Sequence, residues 1–388
     1  MRTWPCTKGN QSAAKRMNNM LPGLTGQHVN FRFLGGRQLV PFQFIHVKAD
    51  TPYECGQQYG MQAKAKIHAG VLVYREYFAK TTDKSWDEIK QYAMSYVPVI
   101  EETMPEVLEE ARGIADGAGV SFDELMVLNC RYEITKFPKT PECTTAAVLP
   151  EATREHVTYL VKNWDYKQAV IPNIVILHIE QADGTRILGL TEAGQMLREG
   201  FNSHGIGLCN NMIQSVYDDW DVGIPVTFLR RKVLSCTRFE QARDTLVHAK
   251  RSVSNNMMLA GCNGIAVDIE AYPGGANMLA PTGGVLTHAN HFVMHQQLDS
   301  RIGPKNRDTR LETLLRARQG EIDVPYIMEC MKDHEYYPES ICAHNSNLPG
   351  YELKDFMTVA SLIIDFAAET AFICAGPPCE GEYIPYRL

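Results

Sequence analysis

TPECTTAAVLP, at Thr140–Pro150, places a cysteine directly before two threonines and a short apolar run, with a proline near either end. Cys143 is open to two interpretations. It is a buried thiol at the start of a strand, since free cysteine is among the most buried residue types, or it is a nucleophile, which needs a special electrostatic environment. The segment alone favours the structural thiol, so the rest of the chain has to decide.

The sequence pattern changes at Cys143. Before it, the chain has helical periodicity, and Ser121 with Glu124 forms a capping box that predicts a new helix start. After it come short runs rich in β-branched residues, and Asp183-Gly184 between two of them is a strong hairpin signal. Because the strands and helices are grouped and not strictly alternated, the pattern favours an α+β fold of stacked antiparallel sheets with helices outside.

The composition excludes some classes of protein. The 388 residues carry a formal charge of -7, which argues against a general nucleic-acid-binding protein because such proteins present a basic face. No run of about 18 apolar residues is present, so no membrane-spanning helix is predicted. The 11 cysteines are irregularly spaced in a long chain, unlike a disulfide framework, and a reducing compartment is expected.

The N-terminal segment is a separate compositional unit. Residues 1–49 contain seven Lys and Arg side chains and no Asp or Glu, so this segment is +7 and the remaining 339 residues sum to -14. We predict a poorly ordered basic extension over residues 1–41, and its composition leaves organellar transit open. Tyr386-Arg387-Leu388 shares its last two residue types with variants of the peroxisomal signal. A cytoplasmic or peroxisomal location is therefore expected.

Polar side chains at predicted strand ends are the candidates to accompany Cys143. Asn163-Trp164-Asp165 ends the next strand, 22 residues on, and a hairpin of this length would return Asp165 to the cysteine. A carboxylate beside an amine or thiolate orients it and shifts its pKa. Asn211 and Asn290 also lie at strand ends, and an Asn amide is a neutral donor suited to an oxyanion. Each of these residues also fits a turn or a cap.

Neither a metal nor a cofactor is predicted. His288-Ala289-Asn290-His291 offers two histidines three residues apart, and Cys374 and Cys379 lie near the C-terminus. Neither set has a second pair at the usual zinc spacing. No glycine-rich phosphate-binding loop is found in the sequence.

Six segments, taken in order, carry a resemblance to a known family. They are TPYECGQQYG from Thr51, EEARGIADGAGVSFDELMVLNCRYE from Glu109, CTTA from Cys143, NWD from Asn163, TEAGQMLREGFNSHGIGLCNN from Thr191 and HANH from His288. Together they resemble the isopenicillin N acyltransferase family of N-terminal-nucleophile (Ntn) hydrolases, relatives of penicillin V acylase and acid ceramidase. The order and spacing of the six segments is more specific than any one of them. The resemblance begins at about Phe42 and continues to the C-terminus.

The resemblance implies a four-layer αββα Ntn sandwich. Residues 42–142 would form a mainly helical α-subunit and residues 143–388 a β-subunit, both within one structural domain. In this family the precursor cleaves its own chain before the nucleophile, here between Glu142 and Cys143, and the α and β fragments of the same precursor are partners. The freed α-amine titrates near pH ~8, so it can accept the proton of the thiol without a histidine.

The resemblance also implies a role for each candidate residue. Cys143 would be both nucleophile and base, Asp165 would orient its amine, and Asn290 would donate to the oxyanion. The remaining polar candidates, as substrate-binding or supporting groups, are Asn211, Asn163 and Thr145, the last on the same strand face as the cysteine.

Two positions depart from the family pattern. The penicillin-biosynthetic member has Gly before its nucleophile, where this chain has Glu142, and it has Arg directly after Ser-Ile-Cys, where this chain has Ala343. A guanidinium pairs well with a carboxylate such as that of the penam nucleus, and a methyl group does not. We therefore expect a different substrate pocket and do not predict penicillin chemistry.

The predicted reaction is attack of Cys143 on a small-molecule acyl amide or acyl thioester to give an acyl-enzyme. Water then gives hydrolysis and an amine gives transfer, with acyl-CoA as a candidate co-substrate. The sequence leaves open the acyl group, the amine, the choice between the two outcomes and homo-oligomerisation. The alternative is an unprocessed, non-catalytic acyl-ligand-binding protein of the same fold. Glu142 favours that alternative, and the joint presence of Cys143, Asp165 and Asn290 disfavours it.

Overall fold

The computed structural model describes residues 33–34, 37–38, 40–135, 143–219, 221–300, 305–349 and 354–388. The predicted extension over residues 1–41 lies outside this part of the chain except for two short strands and residues 40–41. The predicted cleavage junction at Glu142 also lies outside the described residues.

The elements alternate between groups of helices and groups of strands, as the sequence predicts. The helices of the described residues are α1 (Pro52–Thr81), α2 (Trp86–Met94), α3 (Val97–Thr103), α4 (Pro105–Ala118), α5 (Phe122–Asn129), α6 (Arg131–Thr135), α7 (Val226–Leu234), α8 (Phe239–His248), α9 (Arg307–Arg316) and α10 (Val324–Cys330), with two 3-10 turns at Gln168–Asn173 and Gln296–Leu298. The strands are β1 (Phe33–Leu34), β2 (Arg37–Gln38), β3 (Gln43–Ala49), β4 (Thr144–Val148), β5 (Tyr159–Lys167), β6 (Ile174–Gln181), β7 (Arg186–Glu192), β8 (Glu199–Asn202), β9 (Ile206–Asn211), β10 (Asn255–Gly261), β11 (Ile265–Tyr272), β12 (Gly275–Leu279), β13 (Val285–His288), β14 (Phe356–Asp365), β15 (Thr370–Ala375) and β16 (Tyr383–Arg387).

Local signals in the sequence mark several of these boundaries correctly. Helix α5 begins after Ser121, whose backbone N–H donates to the Glu124 carboxylate at 3.4 Å. Helix α4 ends at Gly119, which has a φ of 69° in the left-handed region that glycine tolerates best. The Asp183-Gly184 turn joins β6 to β7 as an antiparallel hairpin.

Two main sheets form the centre of the molecule. The larger has eight strands in the order β12-β11-β10-β9-β8-β7-β6-β3, and the smaller has six in the order β13-β4-β5-β14-β15-β16. All pairings are antiparallel except the edge pair β3 and β6, which runs parallel. The prediction of antiparallel sheets therefore holds for every described pair but this one.

Three apolar cores separate four layers. One core packs α1–α5, α7 and α8 on the outer face of the eight-stranded sheet, a second fills the space between the sheets, and a third packs α9 and α10 on the six-stranded sheet. Strand β6 shows how one strand serves two cores, since Val175 and Leu177 face the first and Ile174 and Ile176 face the second. The predicted αββα sandwich is confirmed.

Helices α1 and α4 pack together through glycines. A Cβ added at Gly113 would overlap the carbonyl oxygen of Tyr53, and one at Gly56 would overlap that of Glu110. The two backbones are therefore in direct contact, which only a residue without a side chain permits. None of the described helices has the length and apolar character needed to cross a membrane.

We predict that Gly113→Ala destabilises the protein by about 3 kcal/mol or more, because the methyl group has to push two backbones apart. The matched control is Gly70→Ala in the same helix pair, where an added Cβ lies at an ordinary 3.6 Å from Ala193 O. That control should be neutral or gain up to about 1 kcal/mol from helix propensity. Thermal and urea denaturation would measure both, and equal stability of the two variants would contradict the prediction.

Candidate active site

Cys143 lies at the start of β4 and faces the core between the two sheets. It is 4% exposed, and its Sγ is 4.0 Å from the backbone oxygen of Asp165. Strands β4 and β5 pair antiparallel with Thr144 opposite Asn163, so the hairpin returns the NWD segment to the cysteine as the sequence predicts. Asp165 lies within β5, two residues before the strand ends.

The Asp165 carboxylate is held by two side chains from other elements. Arg307, at the start of α9, donates from Nη1 to Oδ2 at 2.9 Å, and Thr358 of β14 donates from Oγ1 to Oδ1 at 2.6 Å. All of these side chains are buried. A carboxylate with a guanidinium and a hydroxyl as partners is fixed in orientation.

Arg307 also contacts the second polar candidate. Its Nη2 donates to Asn290 Oδ1 at 3.2 Å, so one guanidinium links Asp165 to Asn290. The Asn290 amide donates in turn to the backbone oxygen of Met212 at 2.6 Å, which fixes the plane of the amide. Arg307 therefore joins the side chains of Asp165 and Asn290, and the Asp165 backbone contacts Cys143.

Sequence analysis missed Arg307, although one signal could have found it. The helix that it begins is apparent in RDTRLETLLRARQG, and a cation in the first turn opposes the helix dipole. An arginine in that position needs a compensating partner, which here is a carboxylate on a neighbouring layer.

A chain of polar groups crosses the core from one sheet to the other. Asn211 donates through Nδ2 to Thr145 Oγ1 at 2.8 Å and to Asn256 Oδ1 at 2.9 Å. Thr145 donates to the backbone oxygen of His288 at 3.4 Å. Asn256 donates to a buried carboxylate, Asp268. Thr145 and Asn211 thus contact each other, and they connect β4 to the facing sheet.

Asn163 is the candidate that the structure places apart from Cys143. Its Nδ2 donates to the backbone oxygens of Met331 and Ile341 at 3.0 and 2.7 Å. Side chains alternate between the faces of a strand, so Asn163 and the Asp165 carboxylate both point toward the α9 and α10 layer, while Trp164 between them faces the core between the sheets. Its contacts position the segment that follows α10.

A fully buried cationic cluster adjoins the cysteine and was not expected from the sequence. Arg131 and Arg198 both donate to the Tyr132 hydroxyl, at 3.4 and 2.8 Å, and the Arg230 guanidinium lies 5.6 Å from the centre of the Tyr132 ring. Burial raises the pKa of Tyr132, but the three guanidiniums outweigh burial and lower it to about 8.

The cluster contains more positive than negative side chains. Arg131 pairs with Glu192 at 2.9 Å, while Arg198 and Lys162 share Glu199 at 2.6 and 2.7 Å. Arg230 donates to neutral oxygens of Asn210 and Thr227, both at 3.0 Å, and has no ion pair among the described residues. A negative charge on the Cys143 sulfur would raise the pKa of the Tyr132 hydroxyl and that of the Arg198 guanidinium. The cluster therefore places an excess of buried positive charge near the cysteine.

His288 and His291 do not face a common ligand. His288 Nε2 is 3.0 Å from Glu270 Oε1 and 3.7 Å from Asp268 Oδ1, whereas His291 Nε2 is 3.5 Å from Asp308 Oδ2. Burial lowers the pKa of His288, but the two neighbouring carboxylates outweigh burial and raise it to about 9.

The raised pKa of His288 predicts that the stability of the protein depends on pH. A pKa raised from its ordinary value of about 6.5 to about 9 stabilises the fold fully below pH ~6.5, and this contribution is lost as the pH rises through about 9. Between pH ~7 and ~9.5 the free energy of unfolding should fall by on the order of 2 kcal/mol more in the parent protein than in His288→Gln.

Urea denaturation in a Cys143→Ala background, in which the predicted cleavage before residue 143 cannot occur, would measure this difference. Tyr132 and Lys167, with pKa values lowered to about 8, titrate in the same interval in both proteins and cancel. Parallel pH profiles for parent and variant would contradict the prediction. His295→Gln, an exposed histidine, is the matched control.

Comparisons with known proteins identify the relatives of the chain. The profile of the family described as acyl-coenzyme A:6-aminopenicillanic acid acyl-transferase matches residues 152–380. The chain is 27% identical over 308 residues to the acyl-coenzyme A:6-aminopenicillanic-acid-acyltransferase 40 kDa form of Emericella nidulans, covering 77% of this chain and 84% of that protein.

Solved structures give more distant likenesses. The N-acylethanolamine-hydrolyzing acid amidase ortholog of Caenorhabditis elegans is 16% identical with a TM-score of 0.43, over 58% of this chain and 93% of that one. Penicillin V acylase from Agrobacterium tumefaciens is 14% identical with a TM-score of 0.42, over 60% and 83%. Since the family profile spans more than half of the sequence, the chain belongs to the acyl-coenzyme A:6-aminopenicillanic acid acyl-transferase family.

Proposed function

We propose that this protein is a cysteine Ntn enzyme that cleaves its own chain between Glu142 and Cys143 and then hydrolyses or transfers acyl groups. The observation that carries the proposal is the bridge formed by Arg307, which links the side chains of Asp165 and Asn290, together with the backbone oxygen of Asp165, which lies 4.0 Å from Cys143 Sγ. Membership of the acyltransferase family supports the same reaction class.

Cleavage would create the base that the nucleophile needs. In the uncleaved chain the nitrogen of Cys143 is an amide and cannot accept a proton, whereas a free α-amine titrates near pH ~8. After cleavage this amine takes the proton of the Cys143 thiol, and the Asp165 carboxylate lies on the adjacent strand to orient the ammonium form. Arg307 and Thr358 keep that carboxylate in place.

The acyl transfer then proceeds in two steps. The Cys143 sulfur bonds to the acyl carbon, the carbonyl oxygen becomes an oxyanion that accepts from the Asn290 amide, and the leaving amine or thiol departs with the proton held by the α-amine. Water or an acceptor amine next attacks the thioester and gives its proton to the α-amine. The C–S bond then breaks, the acyl group leaves on the acceptor, and the Cys143 sulfur regains its proton from the α-amine. Both outcomes pass through the same acyl-enzyme, so one geometry serves hydrolysis and transfer.

The buried cationic cluster supports the anionic steps of this sequence. Arg198 and Tyr132 both interact with charge on the Cys143 sulfur, and a low-dielectric site strengthens such interactions. Thr145 and Asn211 hold β4 against the facing sheet, so the nucleophile is carried by a rigid strand and not by a loop.

For the substrate we propose a small N-acyl amine or an acyl thioester, with acyl-CoA as a candidate donor. Ala343 stands where the penicillin-biosynthetic member of the family has Arg, and it is buried against Thr358, to whose Oγ1 its backbone N–H donates at 2.9 Å. A methyl group there provides no charge-assisted contact for the carboxylate of a penam.

Processing is the first test. Purified wild-type protein should show two polypeptides split before Cys143 by intact mass, and Cys143→Ala should remain one chain because it lacks the sulfur that attacks the preceding carbonyl. Asp165→Asn should process more slowly, since the neutral amide pairs poorly with Arg307. Cys374→Ser, which alters a buried cysteine in β15, is the control and should process normally.

Two results would count against the proposal in different ways. A wild-type chain that stays full length while it hydrolyses N-acyl amines would exclude the N-terminal-nucleophile mechanism. A chain that stays full length and inactive while it binds acyl ligands would support the alternative, a non-catalytic binding protein.

Asn290→Ala should lower kcat by about 10²-fold or more in processed enzyme, because the loss of an oxyanion donor raises the barrier by roughly 3 kcal/mol. The order of preference among acyl groups should be similar to that of the wild type. Steady-state kinetics with a series of N-acyl amines would measure both quantities. Asn277→Ala on the edge strand β12 is the matched control, and an Asn290→Ala rate equal to that of the control would remove Asn290 from the site.

A further inference from the structure

Four side chains that sequence analysis did not connect converge beside the six-stranded sheet. They are His334, Cys342, His344 and Cys379, and each offers one ligand atom that lies within 4.8 Å of the other three. The first three come from the segment after α10, and Cys379 comes from the turn between β15 and β16. The set is partly accessible, since His334 is exposed and Cys342 is buried.

Four of the six distances among these atoms are close to those of a tetrahedral metal site, and the other two are within 4.8 Å. Cys342 Sγ lies 3.5 Å from Cys379 Sγ, the two sulfur-to-His344 Nε2 distances are 3.6 and 3.3 Å, and His334 Nε2 lies 3.1 Å from His344 Nε2. For zinc bound at about 2.3 Å to sulfur and about 2.05 Å to nitrogen, a tetrahedron gives edges of about 3.8, 3.5 and 3.3 Å for these three kinds of pair.

The surroundings also suit a bound cation. The Nδ1 atom of His344 is 3.6 Å from Glu380 Oε1, so Nε2 points into the cluster while the other ring nitrogen faces a carboxylate. Metal-binding histidines usually have this outer carboxylate or carbonyl partner, which fixes the ring and its tautomer. Two thiolates with two imidazoles select zinc or a similar soft cation over magnesium or calcium.

We propose that His334, Cys342, His344 and Cys379 bind one zinc ion in a structural site. Four protein ligands fill a tetrahedral shell and leave no open position for water or substrate, which is the pattern of structural and not catalytic zinc. The site ties the segment after α10 to the β15–β16 turn, two parts of the chain that are 35 residues apart at their nearest ligands, His344 and Cys379.

The zinc site would fix the segment that supports the candidate active site. On one side of Cys342, the backbone oxygen of Ile341 accepts a hydrogen bond from Asn163. On the other side, Ala343 donates its backbone N–H to Thr358 Oγ1 and accepts from the Thr358 backbone N–H, both at 2.9 Å. Thr358 is the residue that donates to Asp165. If the proposed reaction is correct, the zinc ion stabilises the position of the Asp165 carboxylate through Ala343 and Thr358.

The test measures metal and not activity, so it does not depend on the proposed reaction. Full-length protein purified in the presence of a phosphine reductant should contain about one zinc per chain by inductively coupled plasma mass spectrometry. Cys379→Ser and His334→Ala should lose it, and His334 is exposed, so its variant should fold. Circular dichroism would check folding of each variant.

Two matched controls should keep the zinc. Cys374→Ser changes the neighbouring cysteine, whose Sγ donates to Ala375 O and not to the cluster. His46→Ala disrupts a surface group of His46, His178 and Glu180, in which Glu180 is already paired with Lys48 at 3.0 Å. Retention in both controls would assign the metal to the four-residue cluster.

Cobalt gives an independent signature. Metal-free protein titrated with Co²⁺ should develop the visible absorption of a tetrahedral site together with a thiolate-to-cobalt charge-transfer band, and Cys379→Ser should weaken that band. The proposal is overturned if reduced, metal-free protein takes up neither zinc nor cobalt. It is also overturned if Cys379→Ser and His334→Ala bind as much zinc as the wild type, or if Cys342 and Cys379 are joined in a disulfide and the reduced protein then binds no metal.

Discussion

The buried ion pair between Arg307 and Asp165 is the interaction on which the geometry of the candidate site depends. Both side chains are almost fully buried, and burial of either charge alone would be costly. The pair joins α9 in the outer helical layer to β5 in the sheet, and the same guanidinium reaches Asn290 beyond β13. Loss of either partner of such a pair typically costs about 3–5 kcal/mol, because a charge remains buried without compensation.

The ion pair and the cationic cluster have separate effects on Cys143. Arg307 and Asp165 determine the positions of the polar groups, whereas Arg131, Arg198 and Arg230 set the electrostatic potential around the sulfur. Arg131 lies on α6, Arg198 directly precedes β8 and Arg230 lies on α7, so the cluster is built from parts of the chain on both sides of the predicted cleavage point. A buried excess of positive charge is stable only near an anion or a strongly polar group, which a thiolate or an oxyanion would supply.

The sequence predicted those parts of the structure that depend on local signals. The change from helix to strand at Cys143, the cap at Ser121, the Asp183-Gly184 hairpin and the return of Asp165 to the cysteine all follow from residues close together in the chain. The parallel pairing of β3 with β6 could not be predicted in this way, because nothing in the periodicity of either strand identifies its partner. Arg307 and the four-residue cluster around Cys342 were missed for the same reason: their partners are brought together only by the tertiary fold.

The parallel edge strand β3 has a consequence for the protein after cleavage. Strand β3 and helices α1–α6 precede residue 143, while β6 and the rest of both sheets follow it. If the chain is cut as proposed, the backbone hydrogen bonds between β3 and β6 and the apolar core beneath α1 join two separate polypeptides. Folding then changes from a unimolecular to a bimolecular equilibrium, in which dilution favours dissociation and the entropy of a free fragment opposes reassembly. The uncut chain can fold at any concentration, but the mature protein would refold in a concentration-dependent manner.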